Sequence, residues 1–169
     1  MNVYASSHNL KYKMPLVFNI SLQLVSIRLR CPKPMSVAFE FTNAKTVVVS
    51  KNFHKVEANV YETVLREAVD MPLVVAYDPR KGRFISQAIE FNVLSNHGGF
   101  SKKIAAGAIN VAQVLNTHTL ISREQVKLDK CFDKNALLSV KVVLDFKGTH
   151  SGNDYESMHA SKFNMSGIR

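Results

Sequence analysis

The stretch Phe18-Asn19-Ile20-Ser21-Leu22-Gln23-Leu24 decides how this chain is read. Four apolar side chains alternate with three polar ones. Successive side chains of an extended strand point to opposite faces, so a period of two sets one face on a core and the other toward solvent. The pattern recurs. Val37, Phe39 and Phe41 alternate with Ala38 and Glu40, and Ile89, Phe91 and Val93 with Glu90 and Asn92. Leu138, Val140, Val142, Leu144 and Phe146 alternate with Ser139, Lys141, Val143 and Asp145. Further β-rich runs are Thr46–Ser50, Asn59–Arg66, Leu73–Tyr77 and Ile104–Val111. Counting Leu16–Leu29 as one long or bent strand, the chain is predicted to hold eight strands.

The punctuation agrees with antiparallel pairing. Asn43-Ala44-Lys45 reads as a short hairpin link. Asp78-Pro79-Arg80-Lys81-Gly82 has the Pro and Gly placement of a turn. Cys31-Pro32-Lys33-Pro34 must be irregular, because two prolines so close break a hydrogen-bonded ladder. Ser95-Asn96-His97-Gly98-Gly99 reads as another loop, and Ala112–Leu115 as a turn or two of helix. The expected fold is all-β: an eight-stranded antiparallel β-sandwich over residues 16–148. A polar N-terminal arm (1–15) precedes it and a C-terminal tail (149–169) follows it.

Composition narrows the function. The chain has 169 residues, enough for one domain with its own core. Only 2 Cys and 7 Gly argue against disulfide-scaffold and low-complexity classes. No basic stretch leads into an apolar run, and no apolar run approaches the roughly 20 residues that span a bilayer. The expectation is a cytoplasmic protein with two inert thiols, Cys31 and Cys131. Net charge is +9, which favours an acidic partner.

The strand order resembles a C2 domain, specifically the N-terminal-type (NT-C2) subfamily. The resembling pieces are the strand from Phe18 to Leu24, Asn59-Val60-Tyr61-Glu62, the run from Leu73 to Phe84, Ile89–Val93, and the segment from Lys103 through Ile104, Gly107 and Val111 to Leu115. Together they span about 130 residues, from Leu16 to Phe146, and their order and spacing carry the likeness. One position departs: the family often has Trp where this chain has Tyr61.

The resemblance implies that calcium, where bound, is held by aspartates on loops at one end of the sandwich. A hard cation needs several convergent carboxylate oxygens. The corresponding loops, Arg30–Met35 and Leu94–Lys103, contain no Asp or Glu. Calcium independence is therefore expected, with no metal site and no cofactor.

The same loops carry Arg30, Lys33, Lys102 and Lys103, with Arg28 and His97 nearby and Phe100 beside the lysines. On the family's fold they gather at one end, a cationic cluster without carboxylates. Arg80, Lys81 and Arg83 form a second group at the turn, and Lys45, Lys51 and Lys55 a looser third. Three spread groups suggest a broad docking surface. In the tail, Tyr155, Phe163 and Ile168 are candidate apolar anchors for a partner.

Catalysis finds no support in the sequence. The six His show no HxH or HExxH spacing, and GxSxG, GxxxxGK[ST] and GxGxxG do not occur. The expectation is a non-enzymatic interaction module docking on an acidic protein surface, a scaffold or a cytoskeletal polymer such as a microtubule. An anionic phospholipid membrane is the alternative partner. Nucleic acid is the least favoured, because Phe18, Phe39, Phe41 and Phe91 fall in step with core aliphatics instead of on an exposed stacking face.

Overall fold

The computed structural model describes residues 13–32, 36–42, 47–50, 52–97 and 100–149. Within them two antiparallel sheets face each other. The larger runs in the order β10 (Ile121–Lys127), β11 (Leu137–Thr149), β1 (Met14–Arg30), β5 (Val60–Val64), β4 (Asn52–Glu57). Its β6 (Ala68–Asp78) also pairs with β1, and β7 (Arg83–Phe84) pairs with β6. The smaller sheet runs β3 (Val47–Ser50), β2 (Ser36–Phe41), β8 (Ala88–His97), β9 (Phe100–Asn110). The chain is an all-β sandwich, as the alternation predicts. Each of the eight expected strands has its counterpart, and β4, β7 and β10 are additional.

Strand β1 organises the larger sheet. It pairs with β11 on one side; on the other it pairs with β6 along Met14–Gln23 and with β5 along Ser26–Arg30. Leu16, Phe18, Ile20, Leu22 and Leu24 are buried, and then the phase changes to Ile27 and Leu29. A register shift against β11 between Leu24 and Ser26 makes the change. One extra residue in a strand bends it and re-aims the side chains that follow. Val25, at that shift, is left exposed. This is the bend expected of so long a strand. Pro72 of β6 is tolerated because it faces outward on a strand that has a second partner only at Tyr77 and Asp78.

The core fills from both sheets. Phe39, Phe41 and Phe91 of the smaller sheet form one ring cluster, with centroids 5.6–6.5 Å apart. Phe18 packs on Phe84 and Phe146 at 5.9 and 5.5 Å. Each such side chain, fully buried, contributes roughly 1.5–3 kcal/mol. Gly107 lies directly across from Phe91, and a Cβ there would meet Phe91 Cζ at 2.5 Å. The glycine is thus a packing residue, which makes room for a ring already wedged between Phe39 and Phe41.

Helix α1 (Val111–Asn116) follows β9, close to where the sequence predicts a turn of helix. The Asn110 side chain caps it by accepting from the Gln113 backbone N–H. Its last residue is tied to β7: Phe84 N–H donates to Asn116 Oδ1 at 2.7 Å, and Asn116 Nδ2 donates to the Phe84 carbonyl at 3.0 Å. Those two bonds explain why a strand of only two residues holds its place.

Candidate functional site

The sheet registers decide which loops meet. Ser36 pairs with Asn96, so the start of β2 lies beside the end of β8. Arg30 pairs with Val60, and Arg28 with Leu137, so the β4–β5 turn and the β10–β11 connection arrive at the same end. Arg28, Arg30, Lys102 and Lys103 therefore share one end of the sandwich, the loop end. Lys102 and Lys103 stand exposed on β9 opposite Ser95 and Leu94. Lys33, Tyr155, Phe163 and Ile168 lie outside the described residues, as do Lys45 and Lys51 and the side chains of His97 and Phe100.

One expectation is corrected here. The loops lack carboxylates, but neighbouring strands and a distant segment supply them. Arg28 Nη2 lies 3.3 Å from Glu62 Oε2, and Arg30 Nη2 lies 3.7 Å from Glu57 Oε1. Such half-exposed pairs add little stability, about 0–1 kcal/mol, but they lower the local charge. Asp133 is buried and comes from 103 residues further along the chain. Its Oδ2 accepts from the Arg30 backbone N–H at 2.7 Å, and its Oδ1 from that of Asn135 at 2.9 Å. Both oxygens are thus engaged, Oδ2 in holding the β10–β11 connection against the end of β1 and Oδ1 in closing a turn within that connection.

That connection contributes the residues the sequence reading missed. Asp129 exchanges two backbone hydrogen bonds with Ala106 of β9, at 2.7 and 2.9 Å. With Asp133 on β1, the segment is therefore anchored to both sheets. Between and beyond these anchors stand exposed Lys130 and Lys134, and Phe132 is 59% exposed. Among the described residues none of Lys102, Lys103, Lys130 and Lys134 enters an ion pair. The signal was present as Lys130-Cys131-Phe132-Asp133-Lys134. Nothing local said which end of the sandwich it would reach.

Both cysteines belong to this end. Cys31 follows Arg30, and Cys131 lies two positions before Asp133. Both are free thiols. Burial, and secondarily the negative charge of Asp133, push the Cys31 thiol above its ordinary pKa.

The second basic group is elsewhere. Met14 pairs with Tyr77, so Arg80, Lys81 and Arg83 sit at the opposite end of β1. At ~3.3 Å per residue that strand separates the groups by about 50 Å. They do not form one continuous docking surface with the loops. Instead Lys81 and Arg83 line a cleft of about 600 Å³ with Lys13, Asp78, Phe84, Gln113 and other residues of β7 and α1. Gly82, with φ of 62°, makes the turn between the two cations.

Other expectations can be read directly. Phe18, Phe39, Phe41 and Phe91 are all buried in the core, so none is an exposed stacking platform. Among the described residues no group of three or more His, Cys, Asp or Glu side chains converges as metal ligands do. No helix among them is long and apolar enough to cross a membrane.

Two antiparallel sheets packed over an all-β core make a C2-like β-sandwich. A crystal structure of a C2 domain protein from Ramazzottius varieornatus superposes with a TM-score of 0.50. The match covers 83% of this chain and 95% of that one, at 6% sequence identity. At that identity the likeness is one of fold. No protein-family model matches the chain, and no curated protein matches it.

Proposed function

We propose that this chain is a non-catalytic interaction module of the NT-C2 kind, which docks its loop end on an acidic protein assembly without calcium. The carrying observation is the make-up of that end. Phe132 is exposed at the same end of the sandwich as exposed Lys102, Lys103, Lys130 and Lys134, and exposed Glu57 and Asp129 belong to that end too. A few large side chains, aromatics prominent among them, carry most of the energy of a protein interface, and an exposed aromatic is suited to that role. The mixed signs favour a protein partner: a uniformly anionic bilayer repels Glu57 and Asp129, whereas a patterned surface can oppose each charge with its complement. A cytoskeletal polymer offers an acidic surface of this kind.

The test is co-sedimentation of the full chain with purified cytoskeletal polymer and, separately, with phosphatidylserine–phosphatidylcholine vesicles. Polymer binding is expected to fall steeply with salt and to drop roughly tenfold in Lys102→Glu/Lys103→Glu, with a similar loss in Phe132→Ala. Binding to vesicles in place of polymer overturns the protein reading. A second reading, peripheral attachment to an anionic membrane, is supported by the exposure of Phe132 at an end whose lysines would attract anionic lipid.

A further inference from the structure

The cleft at the opposite end has a different electrostatic construction, and it stands independently of the docking reading. Three cations, Lys13, Lys81 and Arg83, line it, and Asp78 is the only carboxylate among the described lining residues. Asp78 offsets only one of the three charges. It is buried, and its Oδ1 accepts from the backbone N–H groups of Arg80 at 3.0 Å and Lys81 at 3.4 Å, closing its own turn. Among the described residues none of the three cations enters an ion pair. The registers explain the convergence. Lys13 precedes Met14, which pairs with Tyr77, while Arg83 pairs with Asp78, so the cations flank Asp78 from both neighbouring strands.

Charge and size together select a ligand class. Three cations against one carboxylate leave a net charge of +2 in the cleft, the complement of a single phosphate ester, which carries about −1.5 to −2 at neutral pH. The volume of about 600 Å³ greatly exceeds what a phosphate fills and lies within the usual ligand-pocket range. The rest of the lining is mixed: Phe84, Ile85 and Ala112 supply apolar wall, and Gln113 supplies an amide suited to hydroxyl groups. The double hydrogen bond between Asn116 and Phe84 fixes α1 against β7, so the two sides of the cleft are held before any ligand arrives. We infer that this cleft binds a phosphate monoester carried on a compact polyhydroxyl body, as in a sugar phosphate or a phosphorylated headgroup. Lys81 and Arg83 grip the phosphate and Gln113 contacts the body.

Calorimetric titration of the full chain at low salt tests this, with glucose 6-phosphate, inorganic phosphate, sulfate and glucose as probes. Vesicles containing phosphatidylinositol 4-phosphate form a parallel arm. Glucose 6-phosphate is expected to bind about tenfold or more tightly than inorganic phosphate or sulfate, because body and charge are both engaged. Glucose alone is expected not to bind. Lys81→Glu/Arg83→Glu should abolish binding and Gln113→Glu should weaken it, while Lys102→Glu/Lys103→Glu leaves it unchanged. All these sites are exposed, and an unchanged melting temperature verifies each variant's fold. If only the vesicles bind, and that binding is lost in Lys81→Glu/Arg83→Glu, the phosphate comes from a lipid headgroup. The inference is overturned if phosphate and sulfate bind as well as the sugar phosphate, if binding survives charge reversal at Lys81 and Arg83, or if no probe binds at millimolar concentration.

Discussion

The two ends of this sandwich are both basic, yet they are built differently. At the loop end each arginine has a carboxylate within reach, Arg28 with Glu62 and Arg30 with Glu57, and a buried aspartate ties the loop down. At the turn end Lys13, Lys81 and Arg83 surround a carboxylate that is occupied by its own turn. The loop end carries an exposed aromatic and only a small hollow of about 250 Å³ beside Arg28 and Arg30, whereas the turn end holds the cleft of about 600 Å³. A net charge of +9 describes neither arrangement. What a charged end can do depends on whether its charges are already answered within the fold and on the size of the hollow they line.

The largest expected effect compares the two aspartates. Asp133→Ala removes the bond that ties the β10–β11 connection to β1 across 103 residues and leaves the buried junction without its acceptor, and should cost about 1–3 kcal/mol in denaturant unfolding. Asp78→Ala removes bonds to amides of Arg80 and Lys81, which lie on an exposed turn where water can replace the carboxylate. It should cost less, about 0.5–1 kcal/mol. Equal losses would break the contrast between a structural aspartate and a turn-closing one.

A smaller effect separates the thiols of the loop end. Because its pKa is raised, Cys31 stays protonated as pH climbs past the point where an ordinary thiol ionises, and the thiolate is the reactive form. Cys131, only partly buried, should react with a disulfide reagent at pH 8 several-fold faster than Cys31. Asp133→Asn removes the carboxylate's share of the shift and should speed Cys31 modestly, with burial still slowing it. A Cys31 that labels first means that this loop opens readily.

The smallest expected effect is none at all. Thermal melts in millimolar calcium and in chelator should coincide, since the segments Arg30–Met35 and Leu94–Lys103 carry no carboxylate, the second being mostly the paired ends of β8 and β9 instead of the expected loop, and both oxygens of Asp133 are engaged. A ligand that binds only the native state must raise the midpoint, so a calcium-dependent rise would overturn calcium independence.

The strands that the sequence shows clearly are those with one face on the core. Strand β11 is legible because Leu138, Val140, Val142 and Leu144 must all be buried while their neighbours need not be. Strand β10 is not legible. Ile121-Ser122-Arg123-Glu124-Gln125-Val126-Lys127 is an edge strand with no fully buried residue, so nothing selects an apolar alternation. Strand β7 is two residues long and depends on Asn116, 32 positions away from Phe84. With β10 unread, the segment after it could not be located, and Phe132, Lys130 and Lys134 were missed with it.

By itself, then, the sequence determined the all-β class, the main strands, the Asp78–Gly82 turn, the short helix and the carboxylate-free segments. These follow from local rules, a two-residue period, proline and glycine geometry, and counting, which need no knowledge of what lies across the molecule. Only the tertiary structure decided which cations share a surface. It brought Lys130, Phe132 and Lys134 to the loop end, gave Arg28 and Arg30 their carboxylate neighbours, and sent Arg80, Lys81 and Arg83 to the far end beside Lys13. Charge at a surface depends on distance in space, and in a sandwich with crossing connections that distance is set by the register between strands far apart in sequence.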